Sequence, residues 1–564
     1  MRKQLRSALG IAVATVVGLT GCKSLEVANP NAPNFGTAFS DPGALTGLVV
    51  GGFRNWINTR ESHDGSLVLH TMADSYTASW NNFNIRFYSS QGAECPQRCG
   101  WDNTPTSTFR FEIETLWYGY NAPLSQAYDV LNAIRNLGAV IEDEDETKKW
   151  EALAVMLQGM SLSGLALNFD RAFVFDETDD LSTIDKIKQL EFADRAVVRD
   201  AAIEKFNSAV TLLQAGPQFT TPSALTGVVN GPTYTSAQLI KIIRTMQAEL
   251  LAHYPRNAAE NAAVNWDQVS TFAAQGMSSG TPHGFEFYQD RTILISGDKD
   301  WGNQSTTVQI DTRLAKLITT NHQDPWPAPD GNPPPISPDA RVGDGSWGPE
   351  DDILFSGTTA ATANAGTDFA YHPFIFFQAA RGLYHFGELS HIRYSYAASP
   401  GYGLPGEDGT GVVPLYSPAV NDLLWAEALL RKPAQNKAQA AQLINNTRVG
   451  RGHLTPLTGA ESVADMLTAV QYEQEIEMLG LGAMPFYNRR RIDGLWPMSP
   501  RQMPVPARDL AQIQVEFYSF GGPGNPAGLA PGTGGLTARP MNVRDKWKEL
   551  FARAKTEARR SNRH

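Results

Sequence analysis

Cys22 is the residue whose setting most clearly predicts a chemical modification. It ends the stretch Leu19-Thr20-Gly21-Cys22, which follows three early basic residues and an apolar run over residues 8–19. A charged start, a short apolar run and small residues before a cleavage site are typical of a secretory signal peptide. Because this site ends at cysteine, it resembles a bacterial lipobox, in which the thiol is lipidated and the cysteine becomes the new N-terminus. We therefore predict a signal peptide over residues 1–21 and a lipid anchor at Cys22, outside the cytoplasm.

Two further cysteines, Cys95 and Cys99, are separated by Pro-Gln-Arg. An oxidising compartment permits a disulfide between them, and that bond would close a tight loop. The sequence has neither the CxxC spacing of redox proteins nor a Cys/His set with zinc spacing. We predict a structural disulfide and no metal site.

Three alternate glutamates, Glu473, Glu475 and Glu477, invite comparison with the paired carboxylates of glycosidases. A spacing of two in a helix directs successive side chains to different faces, so we interpret them as a solvated or helix-contacting pattern. No GxSxG, HExxH or P-loop motif is present. The acidic residues at 298–303 lack the ordered ligand spacing of an EF-hand, which leaves calcium open beside a plain turn. We predict that the protein is not an enzyme and needs no cofactor.

The elements that would position these residues are mostly helices. Apolar side chains recur at spacings of three and four, which is the pattern of a helix with one buried face. Small residues among them, such as Gly159 and Gly164, would let a neighbouring helix approach closely. Paired helices of this kind favour an irregular scaffold of the tetratricopeptide-repeat type. The predicted helices cover residues 111–137, 150–169, 192–213, 236–254, 258–277, 421–430, 438–448 and 463–479.

Two loop-rich segments interrupt the helices, at about residues 74–110 and 280–411. Long irregular segments are usually functional or disordered, and the aromatic content of these two argues against simple disorder. Residues 22–40 would form the lipidated cysteine and an extended tether, and residues 41–540 a single domain. Residues 541–564 form a basic amphipathic tail that would dock on an acidic partner or anionic lipid, or end the chain as a solvated helix.

The charge of the chain limits its partners. The formal net charge is −11 although the C-terminal tail is basic, so the body of the protein is more acidic still. An acidic body argues against nucleic acid as a partner, because nucleic-acid affinity depends on neutralising phosphates.

Several short motifs, in a fixed order, resemble those of the SusD/RagB family. Residues 425–431 (WAEALLR) and 443–452 (LINNTRVGRG) are similar to its signature in that region. A glutamate-rich helix at 473–478, the arginines at 489–491 and the segment at 503–506 (MPVP) follow in the family's order. The lipobox, the NPN sequence after it and residues 152–169 also agree, whereas residues 482–486 and the basic tail depart from the pattern.

The resemblance implies a mostly α, SusD-like fold: an irregular tetratricopeptide-type helical scaffold with long loop-rich insertions and little β-structure. It also implies a non-enzymatic lipoprotein, exposed on the cell surface at the outer membrane, beside a SusC-like TonB-dependent transporter. Its ligand would be an oligosaccharide or another polymeric nutrient such as a peptide. The alternative is an extracellular lipoprotein with a hydrolase or structural-assembly role.

In that family, ligand contacts come from loop regions that correspond to the two insertions. Carbohydrate binding needs flat apolar faces together with a few polar groups, and both loop-rich segments supply them. Trp101 is the first candidate because the predicted disulfide loop would hold it rigid. Each aromatic side chain has the alternative role of packing its loop onto the scaffold. The predicted ligand-binding residues are Trp101, Asp74, Trp80, Arg86, Asn103, Tyr288 and Trp301.

Overall fold

Helices dominate the computed structural model, as the sequence predicts. The structure describes residues 41–78, 98–221, 229–280, 284–290, 292–302, 308–324, 331–342, 366–371, 387–394 and 411–522, without the side chains of residues 184 and 300–302. Within these ranges, sixteen α-helices accompany four antiparallel sheets of two short strands each. The prediction of a mostly α fold with little β-structure is confirmed.

The elements follow one another along the chain with these bounds. The helices are α1 Pro42–Arg60, α2 Val68–Met72, α3 Phe111–Arg135, α4 Glu144–Asn168, α5 Ile184–Ile187, α6 Arg195–Ala215, α7 Ser236–His253, α8 Ala258–Ala262, α9 Trp266–Gln275, α10 Gly297–Gly302, α11 Thr312–Ile318, α12 Pro418–Arg431, α13 Lys437–Arg448, α14 Val463–Glu477, α15 Met484–Arg491 and α16 Ala507–Gln512, with a π-helical turn at His63–Leu67. The strands are β1 Tyr76–Thr77, β2 Arg171–Phe173, β3 Phe192–Asp194, β4 Phe285–Gln289, β5 Gln309–Ile310, β6 Phe369–Tyr371, β7 Leu389–His391 and β8 Gly411–Tyr416.

The helices begin where the sequence supplies capping groups. The Asp41 carboxylate accepts the Gly43 N–H at 2.9 Å before α1, and Pro42 occupies its first turn. A capping box of Thr235 and Gln238 starts α7. Asp143 caps α4, whose first turn holds three acidic residues that complement the helix dipole. Local sequence therefore specifies these helix boundaries.

Successive helices pack as neighbours, α1 on α3, α3 on α4, α4 on α6, α6 on α7 and α7 on α9. Glycines in α4 make the close approach possible. A Cβ at Gly159 would lie 2.7 Å from the Phe206 ring of α6, and a Cβ at Gly164 would lie 2.6 Å from the Tyr120 ring of α3. The predicted role of these small residues is confirmed.

Helix α4 lies at the centre of the scaffold. Among the described residues it alone is long and apolar enough to cross a membrane, yet 94% of its most apolar window is buried inside the protein. It is therefore a core helix, packed on α3 and α6.

Two predicted helices differ from the structure. Residues 192–194 form strand β3, which pairs with β2, and helix α6 begins only at Arg195. The predicted helix over residues 258–277 is two helices, α8 and α9. The Asn265 side chain accepts the Gln268 N–H at 3.1 Å and so starts a new helix inside an otherwise helical pattern.

Candidate functional site

The two loop-rich segments meet at a group of short strands. Strand β1, from the first segment, pairs with β5 of the second, with Tyr76 opposite Ile310. The Gly387 N–H donates to the Ile310 carbonyl at 3.0 Å and leads into β7, which pairs with β6. We call β1, β5, β6 and β7 the loop base, because both loop-rich segments are attached to the scaffold there.

Buried ion pairs fasten the loop base to helix α14. Arg341, between β5 and β6, places Nη1 2.7 Å from Glu473 Oε2 and 3.2 Å from Glu477 Oε1. Arg393, just after β7, places Nη1 2.9 Å from Glu477 Oε2. Glu473 and Glu477 are fully buried, so the expectation of a solvated pattern is wrong and that of a contacting pattern is right. Buried carboxylates need such partners, because an unpaired buried charge is strongly destabilising.

The third glutamate, Glu475, joins both loop-rich segments to the C-terminal helices. Its carboxylate lies 2.8 Å from Arg313 Nη2 of α11 and 3.2 Å from Arg489 Nη1 of α15. Arg313 Nε also donates to the Asp74 carbonyl at 2.9 Å. The other two glutamates, one helical turn apart, share Arg341, whereas Glu475 pairs with a separate set of arginines. All three carboxylates are used in positioning loops.

Asp74, a predicted ligand-binding residue, lies in this charged cluster. Its side chain is buried, and its carboxylate pairs with the Arg98 guanidinium. Its backbone adopts the left-handed conformation with φ +54°, which ends the turn before β1. Asp74 presents no exposed carboxylate to a ligand in this structure, and its pair with Arg98 joins the start of the first loop-rich segment to a later part of it.

Trp101 and Asn103 are also internal. Trp101 is 1% exposed, and its indole N–H donates to the Gln502 carbonyl at 2.9 Å. The Asn103 amide donates to the carbonyls of Val505 and Tyr518 and accepts the Ala507 N–H. These contacts dock residues 101–103 on the C-terminal segment. The structure therefore favours the packing role for Trp101, since its ring has no exposed face on which a sugar can stack.

Tyr288 is the described candidate with a partly exposed side chain. It lies in β4, opposite Val412 of β8, and its N–H donates to the Val229 carbonyl at 2.7 Å. Trp301 belongs to α10, but its side chain lies outside the described part. Cys22, Trp80, Arg86 and Cys95 lie outside the described residues altogether.

Cys99 is disulfide-bonded in the structure. Its predicted partner, Cys95, lies outside the described residues. The pairing of Cys95 with Cys99 therefore stays a prediction.

A buried tyrosine and a buried histidine connect two strands of the loop base. The Tyr76 hydroxyl and His391 Nδ1 are 2.7 Å apart, which joins β1 to β7. Burial lowers the pKa of His391 well below its usual value, and the charge of Arg393 lowers it further, so this imidazole is neutral. The same burial raises the pKa of Tyr76 well above its usual value. The pair is thus a neutral hydrogen bond that holds two strands together.

Asp298 belongs to the acidic stretch considered for calcium. Its Oδ1 lies 2.8 Å from His70 Nδ1, and its Oδ2 accepts the Gly482 N–H at 3.2 Å. The neighbouring Lys299 pairs with Glu61 at 2.6 Å inside the protein, which fixes α10 against the end of α1. Within the described part of the chain, no group of three His, Cys, Asp or Glu residues is placed to hold a metal ion.

The role of the arginines that anchor the loops was not predicted from the sequence. Arg98, Arg313, Arg341 and Arg393 all lie in the loop-rich segments and all reach buried carboxylates. Three carboxylates spaced by two in a helix are a usable signal, because at least one of them faces away from the other two, and carboxylates that are buried on both faces require cationic partners on both.

Solved structures with a similar fold come from Bacteroides species. A SusD-like protein from Bacteroides fragilis is 14% identical, with a TM-score of 0.50 over 81% of this chain and 87% of that one. A SusD-like carbohydrate-binding protein from Bacteroides vulgatus is 13% identical, with a TM-score of 0.51 over 85% and 87%. A SusD superfamily protein from Bacteroides fragilis is 12% identical, with a TM-score of 0.50 over 80% and 90%.

No family model matches the sequence, and no curated protein matches it either. Identities this low carry information about the fold alone, and the similarity extends over most of both chains. The helical scaffold with its loop-rich insertions therefore has the SusD-like fold, which confirms the resemblance found in the sequence.

Proposed function

We propose that the protein is a non-enzymatic lipoprotein of the outer-membrane surface that binds a nutrient, most simply a glycan, and delivers it to a SusC-like TonB-dependent transporter. The observation that carries the proposal is the SusD-like fold, since one of the similar structures is a carbohydrate-binding protein. The lipobox at Cys22 supplies the membrane anchor, and residues 22–40 supply a tether.

The loop base supports the proposal in a second way. It brings the start of the first loop-rich segment and an internal strand of the second to the same place, through the pairing of Tyr76 with Ile310. Buried ion pairs to Glu473, Glu475 and Glu477 make this attachment rigid. A rigid base lowers the entropic cost of ordering loops on a ligand. We propose that the ligand contacts come from the loops that this base carries, with Trp80, Arg86, Tyr288 and Trp301 as candidates.

A glycan panel tests the binding step. Titration followed by tryptophan fluorescence should find a saturating ligand, and Trp80→Ala or Tyr288→Ala should weaken its binding by about tenfold or more. Tyr118→Ala is the matched control, because Tyr118 is an exposed aromatic residue of helix α3 outside both loop-rich segments. Unchanged affinity in every loop variant would remove the proposed site. Turnover of a glycan that a single carboxylate substitution abolishes would favour the hydrolase alternative.

Two cellular experiments test the anchor and the partner. Cys22→Ala should move the protein from the membrane fraction to the soluble fraction, since lipid attachment then cannot occur. A pulldown from solubilised membranes should bring down a large β-barrel protein. Retention of Cys22→Ala at the membrane would contradict the anchor, and a pulldown without a barrel would contradict the transport role.

A further inference from the structure

A cleft of about 420 Å³ lies on the helical scaffold, apart from the loop base. It is bordered by the start of α6, the end of α7, α8 and the start of α9. Its volume lies in the range of small-molecule sites in proteins. Its polar lining consists of Arg195, Arg199, Asp200, Tyr254, Glu260, Asn265 and Gln268, so that two guanidinium groups stand beside two carboxylates.

Two arginines of this cleft are held in place by one aromatic ring. The guanidinium carbons of Arg195 and Arg199 lie 4.2 Å and 4.6 Å from the centre of the Tyr254 ring. Arg195 also pairs with Glu260 at 2.7 Å, and Arg199 pairs with Asp200 at 2.7 Å. These contacts engage two nitrogens of each guanidinium, which has five N–H donors in all. Both arginines are therefore oriented without being exhausted as donors.

Two further arginines stand behind the cleft wall. Arg256 follows Tyr254 and Pro255 of the lining, and both Arg256 and Arg490 are fully buried. Their guanidinium nitrogens donate to backbone carbonyls, Arg256 to Ala166 and Arg490 to His253. In the described part of the chain neither guanidinium has a carboxylate within 4.0 Å. Buried charges are ordinarily paired, so this excess of positive charge is unusual.

The charges of these arginines repel one another. Burial lowers the pKa of Arg256 well below its usual value, and the charges of Arg490 and Arg195 lower it further. Burial likewise lowers the pKa of Arg490 to about 9. Repulsion between guanidinium groups on both sides of the cleft wall is relieved when an anion binds nearby.

Helix α6 adds to this field. It lines the cleft with Arg195 and Ala196 of its first turn and Arg199 of its second. The first turn contains no acidic residue, and the N-cap residue Asp194 makes no side-chain cap. Basic residues at a helix N-terminus oppose the helix dipole, whereas an anion there is stabilised. Arg195, in the first turn, is thus unfavourable for the helix alone and favourable once an anion is present.

We propose that this cleft binds a small molecule through an oxyanion group, a carboxylate, sulfate or phosphate, held by Arg195 and Arg199. The site is independent of the loop-borne binding proposed above, because it is built from other elements. Arg256 and Arg490 make no contact with the ligand. They raise the positive potential in the cleft from behind its wall.

Calorimetric titration of the purified full-length chain at constant ionic strength tests this proposal. The probes are glucuronate, inorganic sulfate and inorganic phosphate, with glucose as the uncharged counterpart of glucuronate. At least one anion should bind saturably and glucose should not. Arg199→Gln should weaken that binding by about tenfold or more, since it removes a charge-assisted hydrogen bond, and Arg199→Lys should be intermediate.

Arg171→Gln is the matched control. Arg171 also pairs with a carboxylate, Asp170 at 2.8 Å, and also lies over a tyrosine ring, Tyr518 at 5.2 Å, but it is outside the cleft. Hydrogen exchange should show protection at residues 195–199 when the anion binds. Absence of saturable binding by all three anions would overturn the proposal, as would equal loss in Arg171→Gln or protection elsewhere. Binding of glucuronate alone would identify a sugar carboxylate as the ligand, whereas binding of sulfate or phosphate alone would identify an oxoanion of that type.

Discussion

Glu427 and Arg491 form a bidentate ion pair in the centre of the protein. Glu427 Oε1 lies 2.8 Å from Arg491 Nη1, and Oε2 lies 2.6 Å from Nη2. Neither side chain is exposed, and Gln474 donates to the same carboxylate at 3.0 Å. The pair joins α12, α14 and α15, which carry three of the motifs that resemble the SusD/RagB family. Those motifs therefore meet in one buried, hydrogen-bonded network that holds the C-terminal helices together.

Removing one partner of this pair should be costly. Glu427→Gln leaves Arg491 buried without its carboxylate, so we expect the free energy of unfolding to fall by about 3–5 kcal/mol. Chemical denaturation measures the change. Glu144→Gln is the control, because Glu144 pairs with Lys148 on the solvated surface and its substitution should leave stability nearly unchanged. Similar losses in both variants would contradict the central role of the pair.

The same carboxylate predicts a pH dependence. Burial by itself raises the pKa of Glu427, but the charge and hydrogen bonds of Arg491 outweigh it, and the pKa falls from 4.5 to about 2. That shift corresponds to roughly 3 kcal/mol of stability. Because the folded-state pKa is the lower one, the contribution is present above about pH 4.5 and is lost as the pH falls toward 2. Unfolding free energies of the wild type and Glu427→Gln should therefore converge on acidification, and a constant difference would refute this assignment.

Two glycines should respond in opposite directions to the same substitution. Gly159→Ala places a Cβ 2.7 Å from the Phe206 ring, so helices α4 and α6 must separate, at a cost of about 1–3 kcal/mol. Gly47→Ala, at an exposed position of α1, meets nothing within 4 Å and should stabilise by about 0.5–1 kcal/mol. Thermal unfolding measures both. If Gly159→Ala left the thermal stability unchanged, the contact between α4 and α6 would be looser than the structure shows.

Trp101→Ala should reduce stability rather than ligand affinity. The ring is 1% exposed and its N–H bonds to the Gln502 carbonyl, so truncation leaves a cavity and an unpaired carbonyl. We expect a loss of about 3–5 kcal/mol in the free energy of unfolding. Glycan affinity of the folded fraction should equal that of the wild type. A stable variant that binds no glycan would restore Trp101 as a ligand contact.

Arg341 should control the order of the loop base. Arg341→Gln leaves Glu473 and Asp339 buried without their guanidinium partner. Amide hydrogen exchange should then accelerate at residues 366–371 and 387–394, because their attachment to α14 is weakened, and stay unchanged in α3 and α4. Lys186→Gln, which removes an exposed pair with Asp180, is the control. Uniform acceleration along the chain would mean that Arg341 supports the whole core instead.

Much of the scaffold was predictable because helices are encoded locally. The spacing of apolar side chains, the caps before α1, α4 and α7, and the glycines of α4 are readable over a few residues. The errors at residues 192–194 and 258–277 also have local causes. Residues 192–194 pair as a strand with β2, and the Asn265 cap divides residues 258–277 into two helices.

The candidate site was less predictable, because burial is a property of the whole fold. Trp101 has the residue type of a sugar platform, yet its neighbours in space, Gln502 and Phe520, are more than 400 positions away in sequence. Asn103 satisfies its polar groups through similarly distant partners, whereas the Asp74 carboxylate pairs with the nearer Arg98. Residue type did not distinguish an exposed ligand contact from an internal anchor.

The sequence by itself determined the helical periodicity, the motif order that resembles the SusD/RagB family, and the lipobox that predicts the membrane anchor. Tertiary structure alone decided which charges pair, because Arg341 and Glu473 are 132 residues apart and only the folded chain brings their side chains to 2.7 Å. It also decided that both loop-rich segments share one base and that four arginines gather around one cleft. The reason is that helix formation depends on neighbours within a turn, whereas charge pairing and clefts depend on how finished helices pack.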